Sequence, residues 1–136
     1  MKKVILLSFL VTLTVPFMAL QEKQKFDLKA SIERGADVYA AQCLSCHMDS
    51  GQGLENVYPP LAKADYLMKD KKRSIDQVLH GVSGEMKVNG VVYNGEMQGF
   101  ETLSDEEVSD VLNYIRNSWG NKGEAVRPDE VKSLRK

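Results

Sequence analysis

The sequence predicts an all-α chain, with helices near both ends bracketing a loop-rich middle. Three observations carry that expectation. Apolar residues recur at three-to-four spacing from Ser31 to Gln42, through Ile32, Gly35, Val38 and Tyr39, and again after Ser104, through Val108, Val111, Leu112, Ile115 and Trp119. Between them lie about sixty residues with little regular patterning, too many to be held up by two helices alone, so something other than side chains must fill part of the core. The chain has 136 residues, 43% hydrophobic and 27% charged, which is the composition of one ordinary globular domain.

The elements follow in order. Met1-Lys2-Lys3 and the apolar run Val4 to Val15 read as an export signal over residues 1–20, with a cut near Ala19. The run is shorter than the roughly 20 residues that span a bilayer, and Pro16 follows it. Phe17 is large for a cleavage site, so an uncleaved membrane anchor is the alternative. Residues 21–29 form a charged linker, and Ser31 is the expected N-cap of the first helix, which runs into Cys43. Gly51, Gly53 and Pro59-Pro60 mark a loop, and a short helix is expected over Leu61 to Met68. Ser74 and Gln77 resemble a capping box, opening a helix with Ile75, Val78 and Leu79 inward and Gly81 as its stop. Asn89-Gly90 between valines is a hairpin signal, repeated at Asn94-Gly95. Ser104 and Glu107 form the clearest capping box, and Gly120 is the expected end of that helix. Residues 122–136 are polar, with Pro128 able to start a short helix, and are expected to be a mobile charged tail.

Two cysteines and two histidines leave room for one reactive site. Both cysteines and one histidine fall together in Cys43-Leu44-Ser45-Cys46-His47, the C-x-x-C-H pattern of covalent c-type haem attachment. Two thiols three positions apart at a helix end reach the two vinyl groups of one porphyrin, and the next residue lies under the iron, where its imidazole binds as proximal ligand. The macrocycle would also supply the missing core. A thioredoxin-like C-x-x-C would follow a strand, whereas a helix precedes this one. A zinc site would have only His80 and carboxylates to complete a tetrahedron.

The sixth iron ligand decides between electron transfer and small-molecule binding. Met1 and Met18 belong to the signal and Met48 follows His47 too closely, leaving Met68, Met86 and Met97. Met97 is favoured: it lies about fifty residues past His47, behind glycines that let backbone approach a flat ring. Met86 is the runner-up, read mainly as a packing residue. His80 would give a bis-histidine site.

From these residues the chain resembles a class I cytochrome c over roughly Leu28 to Asn121, the domain being drawn as residues 30–121. The resemblance rests on Gly35 and Tyr39, the Cys43 to His47 motif, Tyr58-Pro59-Pro60-Leu61, Tyr93-Asn94-Gly95-Glu96-Met97, and Tyr114 to Gly120. It implies a cytochrome c fold, the N- and C-terminal helices crossing and short helices and loops wrapped around one covalent haem c. It also implies that the Pro59 carbonyl accepts a hydrogen bond from His47. Gly35 would allow the helices to cross closely, with Tyr39 packing near Leu112 and Ile115. Gln98 stands where the family usually has proline after the ligand methionine, which touches the loop's rigidity. The last helix and the Y-N-G-x-M loop look most like cytochromes serving copper nitrite reductases, quinoprotein dehydrogenases or terminal oxidases.

The expected role is therefore a periplasmic monohaem electron carrier rather than an enzyme, working between respiratory redox partners, with haem c as cofactor and His47 and Met97 as iron ligands. The alternatives are a haem-based sensor or gas-binding protein, and a membrane-tethered cytochrome subunit of a respiratory complex. Eighteen basic and nineteen acidic residues give a net charge of -1, and loss of Lys2 and Lys3 with the signal leaves -3, which removes the electrostatic case for a nucleic-acid partner. A monomer is expected, in contact with a membrane only if residues 1–20 are retained. Lys69, Lys71, Lys72 and Arg73 form a basic run read chiefly as a solvated loop, and otherwise as a surface steering an acidic partner.

Overall fold

The computed structural model describes residues 25–135, so the expected export signal at 1–20 and the start of the linker lie outside the described residues. Helix α1 spans Leu28–Gln42. It starts three residues before the expected cap, because the Asp27 carboxylate accepts from the amides of Lys29 and Ala30. Ser31 is instead buried inside the helix, and its hydroxyl donates to Asp110 Oδ1 at 2.5 Å. The linker accordingly ends at Asp27 and not at Lys29. Cys43 ends α1 and heads the single turn α2, Leu44–His47.

The middle carries more regular structure than its sequence pattern suggests. A short helix α3 covers Asp65–Lys69, later than the expected Leu61 start, and α4 covers Lys71–His80. Asp70, not Ser74, caps α4 by accepting from the Arg73 amide. Ser74 turns inward and shares its hydroxyl with the carbonyls of Leu67 and Asp70. The hairpin signal is the core of a much longer ladder: β1, Gly81–Val88, pairs antiparallel with β2, Val91–Gln98, from Gly81 opposite Gln98 to Val88 opposite Val91. Asn89 and Gly90, at φ 51° and 86°, make the two-residue turn. About half of the described chain is thus helix, with one small two-stranded sheet, consistent with the all-α expectation; the strands run further than their turn predicts because eight residues alternate too weakly in sequence to be read beyond it.

Helix α5, Asp105–Asn117, opens with the expected reciprocal capping box between Ser104 and Glu107 and buries Val108, Val111, Leu112 and Ile115. It stops at Asn117, before the expected Gly120, and Trp119 follows with φ 53°. Helices α1 and α5 meet at Gly35, where a Cβ would sit 2.0 Å from the Asp110 carbonyl oxygen; only glycine permits that approach. Tyr39 packs there with Val111 and Ile115, whereas Leu112 belongs to the neighbouring cluster.

The expected mobile tail is a second correction. Helix α6 spans Pro128–Leu134, and Val126 and Val131 are fully buried with Ile75, Leu79, Val108 and Leu112. Asn113 secures the strap, its Nδ2 donating to the Val126 carbonyl at 2.8 Å and its Oδ1 accepting from the Val126 amide at 2.7 Å. Lys71 meets Glu130 at 2.6 Å and Arg135 meets Asp105 at 2.9 Å. Two valines spaced among charges look like a tail in sequence, but each fills a gap between α4 and α5, and that burial offsets the cost of ordering the segment.

Candidate functional site

A cavity of about 740 Å³ opens between α2, the 54–61 loop, α3, α4 and the hairpin. This is within the range of about 300–1,000 Å³ typical of small-molecule and cofactor pockets. Cys43, Cys46, His47, Pro59 and Met97 all line it. Its walls are largely apolar, with Leu61, Leu67, Val78, Phe100, Leu112 and Ile115 among them, and Glu96 is the one carboxylate among its described lining residues.

One wall is built by the loop after His47. Burial lowers the pKa of His47, and the Pro59 carbonyl, 3.1 Å from Nδ1, acts in the opposite sense. A carbonyl can only accept, so Nδ1 carries the proton and Nε2 keeps a free lone pair. Burial also pushes the Cys43 thiol up to about 11, with Cys46 adding to the shift, so it rests as a neutral thiol.

Another wall is the inward face of the hairpin. Strand alternation puts Val82, Met86 and Val88 of β1 and Tyr93 and Met97 of β2 on that face. The cross-strand pair Gly84 and Gly95 falls on the same face by register, so no side chain projects there. Backbone can therefore lie against a flat group.

The other candidates separate. Met86 lines the cavity but packs against the cluster of Ala64, Val88 and Tyr93. Neither Met68 nor His80 is among the lining residues; His80 Nδ1 instead meets Asp76 Oδ1 at 3.0 Å on the surface of α4. The basic run also divides and is no loop. Lys71 and Arg73 lie in the first turn of α4, Lys71 bound to Glu130 and Arg73 donating to the Tyr66 carbonyl and lying over its ring, while Lys69 and Lys72 are exposed. No group of three His, Cys, Asp or Glu side chains suited to a metal ion occurs among the described residues.

Some contacts that shape the site lie beyond what the sequence predicts. Tyr39 donates to the carbonyl of Met48 at 2.6 Å, pinning the residue after His47. Asn121 Nδ2 donates to the carbonyls of Leu61 and Ile115, and its Oδ1 accepts from the Lys63 amide. An asparagine just after a helix-ending Trp-Gly is the only local signal, and it reads equally well as the start of a tail.

Two thiols, an imidazole with a free Nε2, two hairpin thioethers (Met86 and Met97) and a largely apolar lining around one cavity fit one covalent haem c. No helix among the described residues is long and apolar enough to cross a membrane.

Comparison with known proteins agrees with this chemistry. The cytochrome c family matches residues 32–119. Cytochrome c-552 of Thermus thermophilus is 43% identical over 110 residues, covering 74% of this chain and 83% of that protein. The cytochrome c subunit of the quinone alcohol dehydrogenase of Gluconobacter oxydans is 34% identical over 103 residues, 74% of this chain but only 22% of the subunit. Cytochrome c6 of Cyanidium caldarium is 27% identical over 110 residues, covering 79% of this chain and 90% of that protein. The match over most of the described chain, joined to the clustering of its cysteines and histidine at one cavity, establishes that the chain belongs to the cytochrome c family, as a class I monohaem member carrying one covalent haem c for electron transport.

Proposed function

We propose that this protein is an exported, periplasmic electron carrier in which His47 and Met97 are the axial iron ligands and Cys43 and Cys46 the thioether anchors. The supporting observation is that Met97, His47 and both cysteines line one cavity. Bound haem c supplies a one-electron iron couple. The chain's own contribution is positional. Cys43 and Cys46 tether the group, Pro59 orients the His47 ring and raises its basicity, and the hairpin holds a sulfur in the same cavity. Histidine and methionine ligation with an apolar shell raises the reduction potential, and unchanged ligation in both oxidation states keeps rearrangement small.

Redox proteins are the proposed partners. The lining contains no lysine or arginine, and Leu54 and Val57, about half exposed at 46% and 51%, stand beside it on the 54–58 turn. Contact is thus carried mainly by apolar and uncharged groups, with Lys69 and Lys72 contributing to long-range steering. The similarity to a dehydrogenase cytochrome subunit makes a quinone-linked dehydrogenase one candidate donor.

Optical and redox titration of the purified holoprotein tests the reading. The oxidised protein should show the long-wavelength methionine-to-iron charge-transfer band, and Met97→Ala should abolish it. A band that survives Met97→Ala and disappears in Met86→Ala would reject the ligand assignment. Rapid carbon monoxide binding by the reduced wild type would favour a gas-binding role instead.

A further inference from the structure

We infer that Asn121, two residues beyond the stretch matched by the family, is a positioning residue for the proximal imidazole: it anchors the loop whose Pro59 carbonyl holds His47 Nδ1. The inference rests on the proposed ligation of iron by His47. Asn121 is 6% exposed and uses its whole amide. Its Nδ2 donates to the Ile115 carbonyl at 2.8 Å, on the last turn of α5, and to the Leu61 carbonyl at 2.9 Å, while Oδ1 accepts from the Lys63 amide at 2.8 Å. Lys63 sits at φ 51°, a conformation that a lysine holds only when its neighbours impose it.

Leu61 is two residues from Pro59, and Pro60 between them has its φ restricted by its ring, leaving little slack. The other side of the segment is also tied, the amides of Leu61 and Ala62 both donating to the Gly51 carbonyl at 2.7 and 2.8 Å. Gly51 in turn lies under the Trp119 indole, where a Cβ would come within 2.5 Å of the ring. The turn after α5 therefore grips the histidine loop at two points, and Asn121 is the polar one.

Releasing Asn121 lets the Pro59 carbonyl drift from Nδ1. A weaker hydrogen bond makes the imidazole less basic, and a less basic ligand stabilises ferric iron less, so the potential rises. An outer partner of this kind changes metal binding by about 10–100-fold when it is removed. Because Asn121 acts one step further out, the expected change in the redox equilibrium constant is about tenfold, or about 59 mV for one electron.

The test compares Asn121→Ala, Asn121→Ser and Val131→Ala holoproteins with the wild type. Two quantities are measured: the midpoint potential, and the deuterium exchange of the His47 Nδ1 proton by magnetic resonance. Asn121→Ala should raise the potential and speed exchange. Asn121→Ser, keeping one hydroxyl, should lie between it and the wild type, and remains informative if the alanine variant fails to fold. Val131→Ala should melt earlier with both quantities unchanged. Folded Asn121 variants with wild-type potential and exchange would overturn the assignment, as would an equal shift in Val131→Ala, which would mean general loosening. A wild type whose iron is not bound by His47 would instead remove the underlying reading, and the inference with it.

Discussion

The two walls of the cavity are built on opposite principles. The His47 wall is irregular backbone held by many specific bonds. His47 is tied to Pro59, the Gly53 amide to the His47 carbonyl, Leu61 and Ala62 to Gly51, Tyr39 to Met48, and Asn121 to Leu61 and Lys63. The Met97 wall is a two-stranded ladder, regular in its backbone, with a glycine pair on its inner face and Val91 and Val92 exposed near its tip. An irregular loop lacks repeating backbone bonds and must be fixed residue by residue. A ladder satisfies itself, but two strands alone are only marginally stable. The histidine wall should therefore be intolerant of single changes and the methionine wall compliant.

Glycine substitutions break this contrast most directly. Gly53 has φ 66°, and a Cβ there would lie 2.3 Å from the Tyr58 carbonyl oxygen. Gly53→Ala combines left-handed strain with a backbone clash and should cost on the order of 3 kcal/mol or more, with loss of the low-spin optical spectrum. On the other wall Gly90, in the hairpin turn and away from the inner face, has φ 86° and nothing within 4 Å of a built Cβ. Gly90→Ala should thus cost only the conformational strain, about 1–2 kcal/mol, and keep the methionine charge-transfer band. Denaturant melts of the two variants, followed at the haem bands, decide the matter; equal losses would dissolve the distinction between the walls.

Away from both walls, Ser104→Ala removes the α5 cap and should cost about 1 kcal/mol. Its pH dependence has a defined sign. The backbone amide and hydroxyl of Ser104 hold the Glu107 carboxyl below its ordinary value. Glu107 is thus more ionised folded than unfolded. Its stabilisation is present above the ordinary carboxylate range and is lost as the pH falls through the depressed folded value. Alanine keeps the backbone amide and loses the hydroxyl, so the gap between wild type and Ser104→Ala in thermal melts should narrow on acidification by the hydroxyl–carboxylate share alone, the cap bond from the Glu107 amide persisting. The smallest effect belongs to Lys69→Gln with Lys72→Gln. These exposed side chains should leave stability and potential unchanged and lower only the association rate with an acidic partner and its salt dependence, as read by stopped-flow mixing.

Legibility followed locality. The haem motif, the Ser104 capping box and the Asn89-Gly90 turn are contiguous signals whose chemistry is complete within a few residues, and all were readable. A serine before an apolar run looks the same whether its hydroxyl meets its own helix end or a neighbour, so Ser31 and Ser74 read as caps in sequence although Asp27 and Asp70 hold those ends. The strands extend well beyond their turn because Val82, Met86 and Tyr93 find a partner surface inside the cavity, a fact absent from their own pattern. Asn121 was passed over because all three of its bonds except that to Ile115 reach about sixty residues back along the chain.

By itself the sequence determined the reactive group and its covalent logic, since two thiols and an imidazole in five consecutive positions admit little else. It also determined that the two principal helices form, through periodicity and capping. Only the tertiary structure decided that Lys71 is bound to Glu130 while Lys69 stays exposed, and that residues 122–135 are part of the body. The physical reason is the same in each case. Helix propensity and motif chemistry act over a few residues, whereas burial of Val126 and Val131, or the grip of Asn121 on the histidine loop, exists only once distant segments have been brought together.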